Sequence, residues 1–205
     1  MAYSDFSFQE VLVKFGLGYE TDADLFRLAS EVMPTPVLAG ALERGIPLAS
    51  LINTEKAWSE QVISPILLDV RMLAKPLDVT LFSGSEFNVD PADKLTGYCD
   101  FILGRGPQFP YVTAPLVMIV EAKKEDINGR LGQCAAAMVA AQRFNEREHT
   151  GSGPMYGCVT SGPVYRFVKL HAKRLTLDEQ LRSAADLPKL LGIFLHILGV
   201  TPKGA

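Results

Sequence analysis

The segment Leu116–Val120 constrains the fold of this chain most strongly, because five successive apolar residues lead into Glu121-Ala-Lys123. A run that is apolar on both faces is typical of a central β-strand covered on each side. Strand side chains alternate between faces, so Glu121 and Lys123 are predicted to share one face, with Ala122 on the other. A charged pair that ends a buried strand needs a partner. The pattern therefore predicts a polar site where this strand ends.

The segments around this strand predict an α/β fold. The elements expected there are a helix over 57–74, strands at 77–82, 98–103 and 115–122, a helix over 127–146, and strands at 155–160 and 164–170. The central part, residues 57–170, thus has the order helix, three strands, helix, two strands, and its first six elements follow the order αβββαβ. We predict a single domain over residues 1–205, with a central mixed β-sheet flanked by helices.

The two ends of the chain are predicted to be helical. Residues 1–56 are expected to form an N-terminal extension with helices at 8–15, 22–30 and 37–43, and residues 171–205 to hold C-terminal helices at 177–185 and 187–198. Pro65 is predicted either to kink the helix over 57–74 or to begin it. The extension shows no pattern that indicates chemistry.

The charge distribution gives little support to a nucleic-acid partner. The net charge is −3, and residues 1–56 hold eight acidic against four basic residues, which leaves the remainder near neutral. A near-neutral domain can bind nucleic acid through a local basic cluster. Lys169, Lys173 and Arg174 form a modest patch of that kind, although a solvated face is the favoured explanation.

The cysteines and the hydropathy indicate the compartment. The three cysteines, Cys99, Cys134 and Cys158, lack Cys-x-x-Cys spacing and are typical of small buried residues in a reducing environment. No segment predicts a signal peptide or a membrane span. We therefore expect a cytoplasmic protein without a membrane partner.

Asp100 supplies a second carboxylate near the end of the central strand. If Asp100 lies on the neighbouring strand, its carboxylate and that of Glu121 form an oxygen site for a hard divalent cation, with Mg²⁺ as the default and Mn²⁺ as the alternative. The backbone carbonyl of Ala122 is a candidate third ligand. Phosphodiester hydrolysis needs charge stabilisation on the phosphate and a positioned water, and Lys123 is suited to orient that water.

The order Asp100, then Glu121-Ala-Lys123, then Gln133 on the following helix resembles the PD-(D/E)XK nuclease superfamily. That superfamily includes restriction-endonuclease-like domains and the N-terminal nuclease domain of type I restriction subunits. Glu60 matches the acid often found on its first helix. The resemblance implies a restriction-endonuclease-like core and a Mg²⁺-dependent nuclease acting on nucleic acid, with DNA ahead of RNA.

The resemblance also assigns roles to residues. It implies that Asp100, Glu121 and Ala122 hold the metal, and that Lys123, Gln133 and Glu60 act in catalysis. Two features depart from the family pattern. Cys99 stands where a proline often precedes the aspartate, and a second lysine, Lys124, follows Lys123. Strand alternation points Lys124 away from the site, so it is given no role.

Two other functions stay open. The chain could be a catalytically silent member of the same fold that binds nucleic acid or protein, which its acidity favours. It could also be a small interaction protein that uses the helices of residues 1–56. The substrate, the cleavage position and the oligomeric state, including a homodimer, are not determined by the pattern.

Overall fold

The computed structural model describes residues 2–75, 77–123, 126–151 and 153–200, and its strands form one mixed seven-stranded sheet. The strands are β1 (Gly18–Asp22), β2 (Val79–Glu86), β3 (Tyr98–Arg105), β4 (Leu116–Ala122), β5 (Met155–Thr160), β6 (Val164–His171) and β7 (Arg174–Ser183). The α-helices are α1 (Phe8–Phe15), α2 (Pro36–Ile52), α3 (Glu55–Trp58), α4 (Ser64–Leu73), α5 (Leu131–Arg147) and α6 (Leu187–Ile197).

The strand β4 lies inside the sheet, as its apolar run predicts. The strand order is β1-β7-β6-β5-β4-β3-β2, and every residue of β4 is buried. The β4–β5 and β1–β7 pairs are parallel, and the other neighbouring pairs are antiparallel. The prediction of a central strand in a mixed sheet is confirmed, and so is the order of elements from the helix before β2 through β5.

Helices cover both faces of the sheet. One apolar cluster holds buried residues of α2, α4 and α6, and the other holds those of α1 and α5. Every residue of Leu131–Ala141 in α5 is buried, and the many alanines of this stretch let the helix lie close to the strands. None of the described helices combines the length and the apolar character that a membrane span requires.

Two predicted helices are in fact strand or turn. The prediction of a helix over 177–185 is wrong, because β7 extends from Arg174 to Ser183 as a partner of β6. Residues 171–205 are therefore not only helical. The prediction of a helix over 22–30 is also wrong. Residues 18–22 form β1 beside β7, so the N-terminal extension contributes an edge strand to the sheet.

Proline shapes two helices differently from the prediction. The chain is helical from α3 through α4, because a π-helical turn, Ser59–Ile63, widens the helix just before Pro65. The predicted helix over 37–43 continues to Ile52 through Pro47. Pro47 is exposed, so water can satisfy the carbonyl group that its missing N–H leaves without a partner.

Candidate functional site

The side chains of Asp100 and Glu121 meet where β3 begins and β4 ends. The antiparallel ladder pairs Phe101 with Val120, and one further pair in the same register places Asp100 opposite Glu121. Residues directly opposite each other share a face of the sheet. Oδ2 of Asp100 also accepts a 2.7 Å hydrogen bond from the backbone N–H of Ala122. The two acids of the sequence pattern therefore lie side by side.

Glu121 is a buried acid with one oxygen left unpaired. Its exposed fraction is 0%, and its Oε2 accepts a 2.7 Å hydrogen bond from Nε2 of Gln133 in the first turn of α5. Its Oε1 is buried and accepts no hydrogen bond from the described part of the chain. Leaving such an acceptor unsatisfied costs about 1–3 kcal/mol. A proton or a bound ligand is needed to offset that cost.

The two carboxyl groups influence each other's protonation. Burial raises the pKa of Glu121 well above its ordinary value, and the charge of Asp100 raises it further. Burial also raises the pKa of Asp100, while the hydrogen bond from Ala122 and the charge of Lys123 oppose that rise. A proton on Glu121 lies within hydrogen-bonding reach of Asp100. The pair therefore favours either a shared proton or a cation.

Lys123 lies just beyond β4 and directs its amine toward this pair. Its backbone N–H donates to the carbonyl of Thr160 at 2.7 Å, and its Nζ lies 3.1 Å from Oε1 of Glu55 in α3. The Lys123 side chain is only 16% exposed. Its charge lowers the pKa of both Asp100 and Glu121, so all three predicted groups interact. Lys124 lies outside the described residues.

Glu55, which the sequence pattern did not single out, is the acid of the first helix that reaches the site. Its charge raises the pKa of Asp100 and of Glu121. The side chain of Glu60 is instead 55% exposed and forms a 2.6 Å ion pair with Lys56. The structure therefore does not bring Glu60 to the other predicted site residues.

The start of the helix explains why Glu55, and not Glu60, reaches the site. Thr54 caps α3, so the helix begins at Glu55 and not at residue 57. Glu60 follows Glu55 by five positions, so the two side chains project from different sides of the helix. The Thr54-Glu55 pair was a readable helix-start signal, because threonine is a preferred N-cap and an acid suits the first turn.

The N-terminal extension closes one side of the site. Tyr3 is 1% exposed, and its hydroxyl donates to the carbonyl of Phe87 at 2.5 Å. The charge of Glu121 contributes to raising the pKa of Tyr3, which indicates proximity. A Cβ at Gly132 would lie 2.2 Å from the carbonyl oxygen of Phe6, so only glycine lets the extension lie against α5. No sequence pattern predicts this contact.

The oxygen atoms at the end of β4 fit a hard divalent cation. The N–H of Ala122 faces Asp100, and the carbonyl of a strand residue points to the same side as its N–H. Oε1 of Glu121, the carboxylate of Asp100 and this carbonyl are therefore the available oxygens. Such ligands suit Mg²⁺ or Mn²⁺, whose remaining positions are filled by water. Within the described ranges, no group of three or more His, Cys, Asp or Glu side chains is placed to hold a metal.

Comparison with known proteins adds no assignment to this geometry. The sequence matches none of the family models against which it was compared, and no curated protein matches it. The candidate site therefore stands on the residues themselves: the paired acids Asp100 and Glu121, the amine of Lys123 with its partner Glu55, and Gln133.

Proposed function

We propose that this protein is a divalent-metal-dependent phosphodiesterase that hydrolyses DNA or RNA. The observation that carries the proposal is the unpaired, buried Oε1 of Glu121 beside Asp100. A purely structural glutamate at this position would lower stability without a compensating contact. The order of elements and the residues Asp100, Glu121, Lys123 and Gln133 support membership of the PD-(D/E)XK superfamily.

Each residue of the site has a role that follows from its contacts. Asp100, Glu121 and the carbonyl of Ala122 would hold the cation, which supplies charge stabilisation for the phosphate and acidifies a bound water. Gln133 fixes the carboxylate of Glu121 through its 2.7 Å hydrogen bond. Groups that orient a ligand in this way are often as important as the ligand itself.

Lys123 is the residue proposed to act on the reacting groups. Its Nζ donates a hydrogen bond to the attacking water or to the phosphate oxygen that gains charge, and the low exposure of the side chain strengthens that interaction. Glu55 holds the amine in place through the 3.1 Å contact. Glu60, with its exposed ion pair, is not part of this proposal.

Cleavage assays with site variants test the proposal. Purified protein should cut single-stranded DNA, duplex DNA or RNA with Mg²⁺ or Mn²⁺, and EDTA should stop the reaction. Lys123→Met should lower the rate by about 10²–10³-fold, the effect of removing one stabilising donor. Its Mn²⁺ affinity by calorimetry should stay unchanged, because the amine is not a ligand. Asp100→Asn should lose both activity and metal binding.

A matched control variant distinguishes the loss of the Lys123 amine from a general loss of positive charge. Lys169 pairs with Tyr156 near the start of β5, at the opposite end of the strands from Thr160. Lys169→Met should therefore cleave like the wild type. Equal cleavage by wild type and Lys123→Met would identify the activity as a contaminant. Metal binding by Asp100 and Glu121 without cleavage of any nucleic acid would favour the silent binding module.

A further inference from the structure

A row of residues that are in register across the sheet connects the candidate site with a half-buried arginine. Glu121 of β4 pairs with Val159 of β5, Val159 pairs with Arg166 of β6, and Arg166 pairs with Leu181 of β7. Residues in register on neighbouring strands project from the same face. Arg166 therefore lies on the face of Glu121, two strands away, which is about 10 Å at the usual strand spacing.

This row leads from the buried site to solvent. Glu121 and Val159 are fully buried, Arg166 is half-buried, and Leu181 at the end of the row is 53% exposed. The helix α5 covers β4 and β5 on this face, whereas the end of β7 lies beyond its cover. A polymer could therefore approach the site over Leu181 and Arg166.

The guanidinium of Arg166 is only partly satisfied within the protein. One of its terminal nitrogens donates to the carbonyl of Asp178 at 3.3 Å, and its Nε has no partner within the described residues. The carboxylate of Asp178 is instead bound by Arg182, at 2.9 Å and 3.3 Å. No described carboxylate forms an ion pair with Arg166, so its charge is left without a counterion. A guanidinium has five donors, and one carbonyl uses one of them.

We propose that Arg166 binds a phosphate of the nucleic-acid strand a few nucleotides away from the phosphate that a cation held by Asp100 and Glu121 would bind. This inference rests on the proposed nuclease function. Each strand of a duplex carries one phosphate per about 3.4 Å of helix axis, so a separation of about 10 Å corresponds to about three phosphates along one strand. The planar guanidinium suits phosphate oxygens better than an amine does. Arg166 then positions the strand and does not take part in bond cleavage.

Binding measurements at several salt concentrations test this role. The full chain with Lys123→Met serves as the parent, since it should cleave about 10²–10³-fold more slowly than the wild type. Fluorescence anisotropy with Mg²⁺ then reports binding of labelled single-stranded and duplex DNA before much of it is cut. Adding Arg166→Met should weaken binding about fivefold to tenfold. It should also reduce the slope of log affinity against log salt by about 0.7–0.9, the value for one lost phosphate contact. Arg166→Lys keeps the charge and should keep most of the slope.

A second arginine provides the matched control. Arg174 is the first residue of β7, at the opposite end of the sheet, where it pairs with Glu20. Arg174→Met removes the same charge. It should leave affinity and slope unchanged, because this position and the ion pair favour a solvated face for Lys169, Lys173 and Arg174 over a nucleic-acid patch. Arg166→Gln, which keeps a donor for the Asp178 carbonyl, replaces the methionine variant if that variant melts early.

The outcomes separate this inference from the function on which it rests. If the parent binds DNA and the Arg166 variants bind with its affinity and salt slope, the role of Arg166 is overturned and the nuclease proposal stands. If the Arg174 variant loses as much DNA affinity as the Arg166 variant, the effect is one of overall charge, and the assignment of a phosphate contact to Arg166 also fails. If the parent binds neither DNA nor RNA, the proposed function fails and the role of Arg166 with it.

Discussion

Gln133 donates a 2.7 Å hydrogen bond to Oε2 of Glu121, and this contact joins the first turn of α5 to the end of β4. It satisfies one oxygen of a fully buried carboxylate and leaves Oε1 without a donor among the described residues. The same contact therefore contributes to packing and keeps one ligand oxygen available. The two oxygens of this carboxylate therefore have different surroundings.

Replacing Glu121 by glutamine should stabilise the protein when no metal is present. Between the ordinary glutamate pKa of 4.5 and the higher pKa of Glu121 in the folded chain, the unfolded chain is ionised at this residue while the folded chain keeps the proton. Stability contributed by this group is thus present at low pH and is lost as pH rises toward the higher folded pKa. In EDTA, Glu121→Gln should melt about 2–8 °C above the wild type at pH 8, with a smaller difference at pH 5. Calorimetric melting at both pH values checks this, and an equal or lower melting temperature at pH 8 contradicts it.

Removing the orienting amide should weaken metal binding. Gln133→Ala frees the carboxylate of Glu121 to rotate, and loss of such a supporting group typically costs 10–100-fold in metal affinity. Gln142→Ala is the control on the same helix, since Gln142 donates to the carbonyl of Ala172 at the far end. Titration calorimetry with Mn²⁺ measures both variants. Unchanged affinity in Gln133→Ala would show that Glu121 is held in place without this bond.

The two acids of the first helical segment should differ in their effect on catalysis. Glu55→Gln removes the partner of Lys123, so kcat should fall about tenfold to hundredfold because the amine is no longer positioned. KM and Mn²⁺ affinity should stay near wild-type values. Glu60→Gln should behave like the wild type, since Glu60 pairs with exposed Lys56. Steady-state kinetics distinguish the two variants. A larger fall of kcat in Glu60→Gln than in Glu55→Gln would support the sequence-based choice of Glu60.

Asn145 should matter for folding more than for chemistry. Its side chain donates to the carbonyl of Leu116 and accepts from the N–H of Leu116, both at 2.7 Å in the protein interior. Asn145→Leu leaves both backbone groups unpaired, which should cost about 2–4 kcal/mol. Asn145→Asp keeps the acceptor and should cost less. Guanidinium unfolding measures the loss, and a stable Asn145→Leu would indicate that water replaces the side chain.

The parts of the fold that the sequence predicted correctly are those with a strong local signal. The apolar run Leu116–Val120 identified an interior strand, and the alanine-rich segment identified the helix that became α5. The run is short, rich in β-branched residues and preceded by Pro115, which favours a strand, whereas the alanine-rich segment is long enough to form a helix. Strand alternation put Glu121 and Lys123 on one face, and Asp100 joined them only on the condition that it lies on the neighbouring strand.

The segment that became β7 shows where local patterns mislead. Leu177 and Leu181, like Asp178 and Arg182, are spaced as on one face of a helix, and the ion pair of Asp178 and Arg182 does form at 2.9 Å. It forms across an irregularity in the β6–β7 register and not along a helix. Pairing with β6 and with the short strand β1 outweighs the local preference.

The sequence by itself determined the central strand, the helix behind it and the shared face of Glu121 and Lys123, and the resemblance to a nuclease superfamily implied that Asp100 and Gln133 lie beside them. Only the tertiary structure decided that Glu55 reaches Lys123 in place of Glu60. Likewise, it alone placed Tyr3 beside the site and Arg166 in the row of Glu121. The first group depends on the two- and 3.6-residue periods of neighbouring residues. The second depends on where a helix begins and on which distant strands pair, and contacts between remote segments fix both.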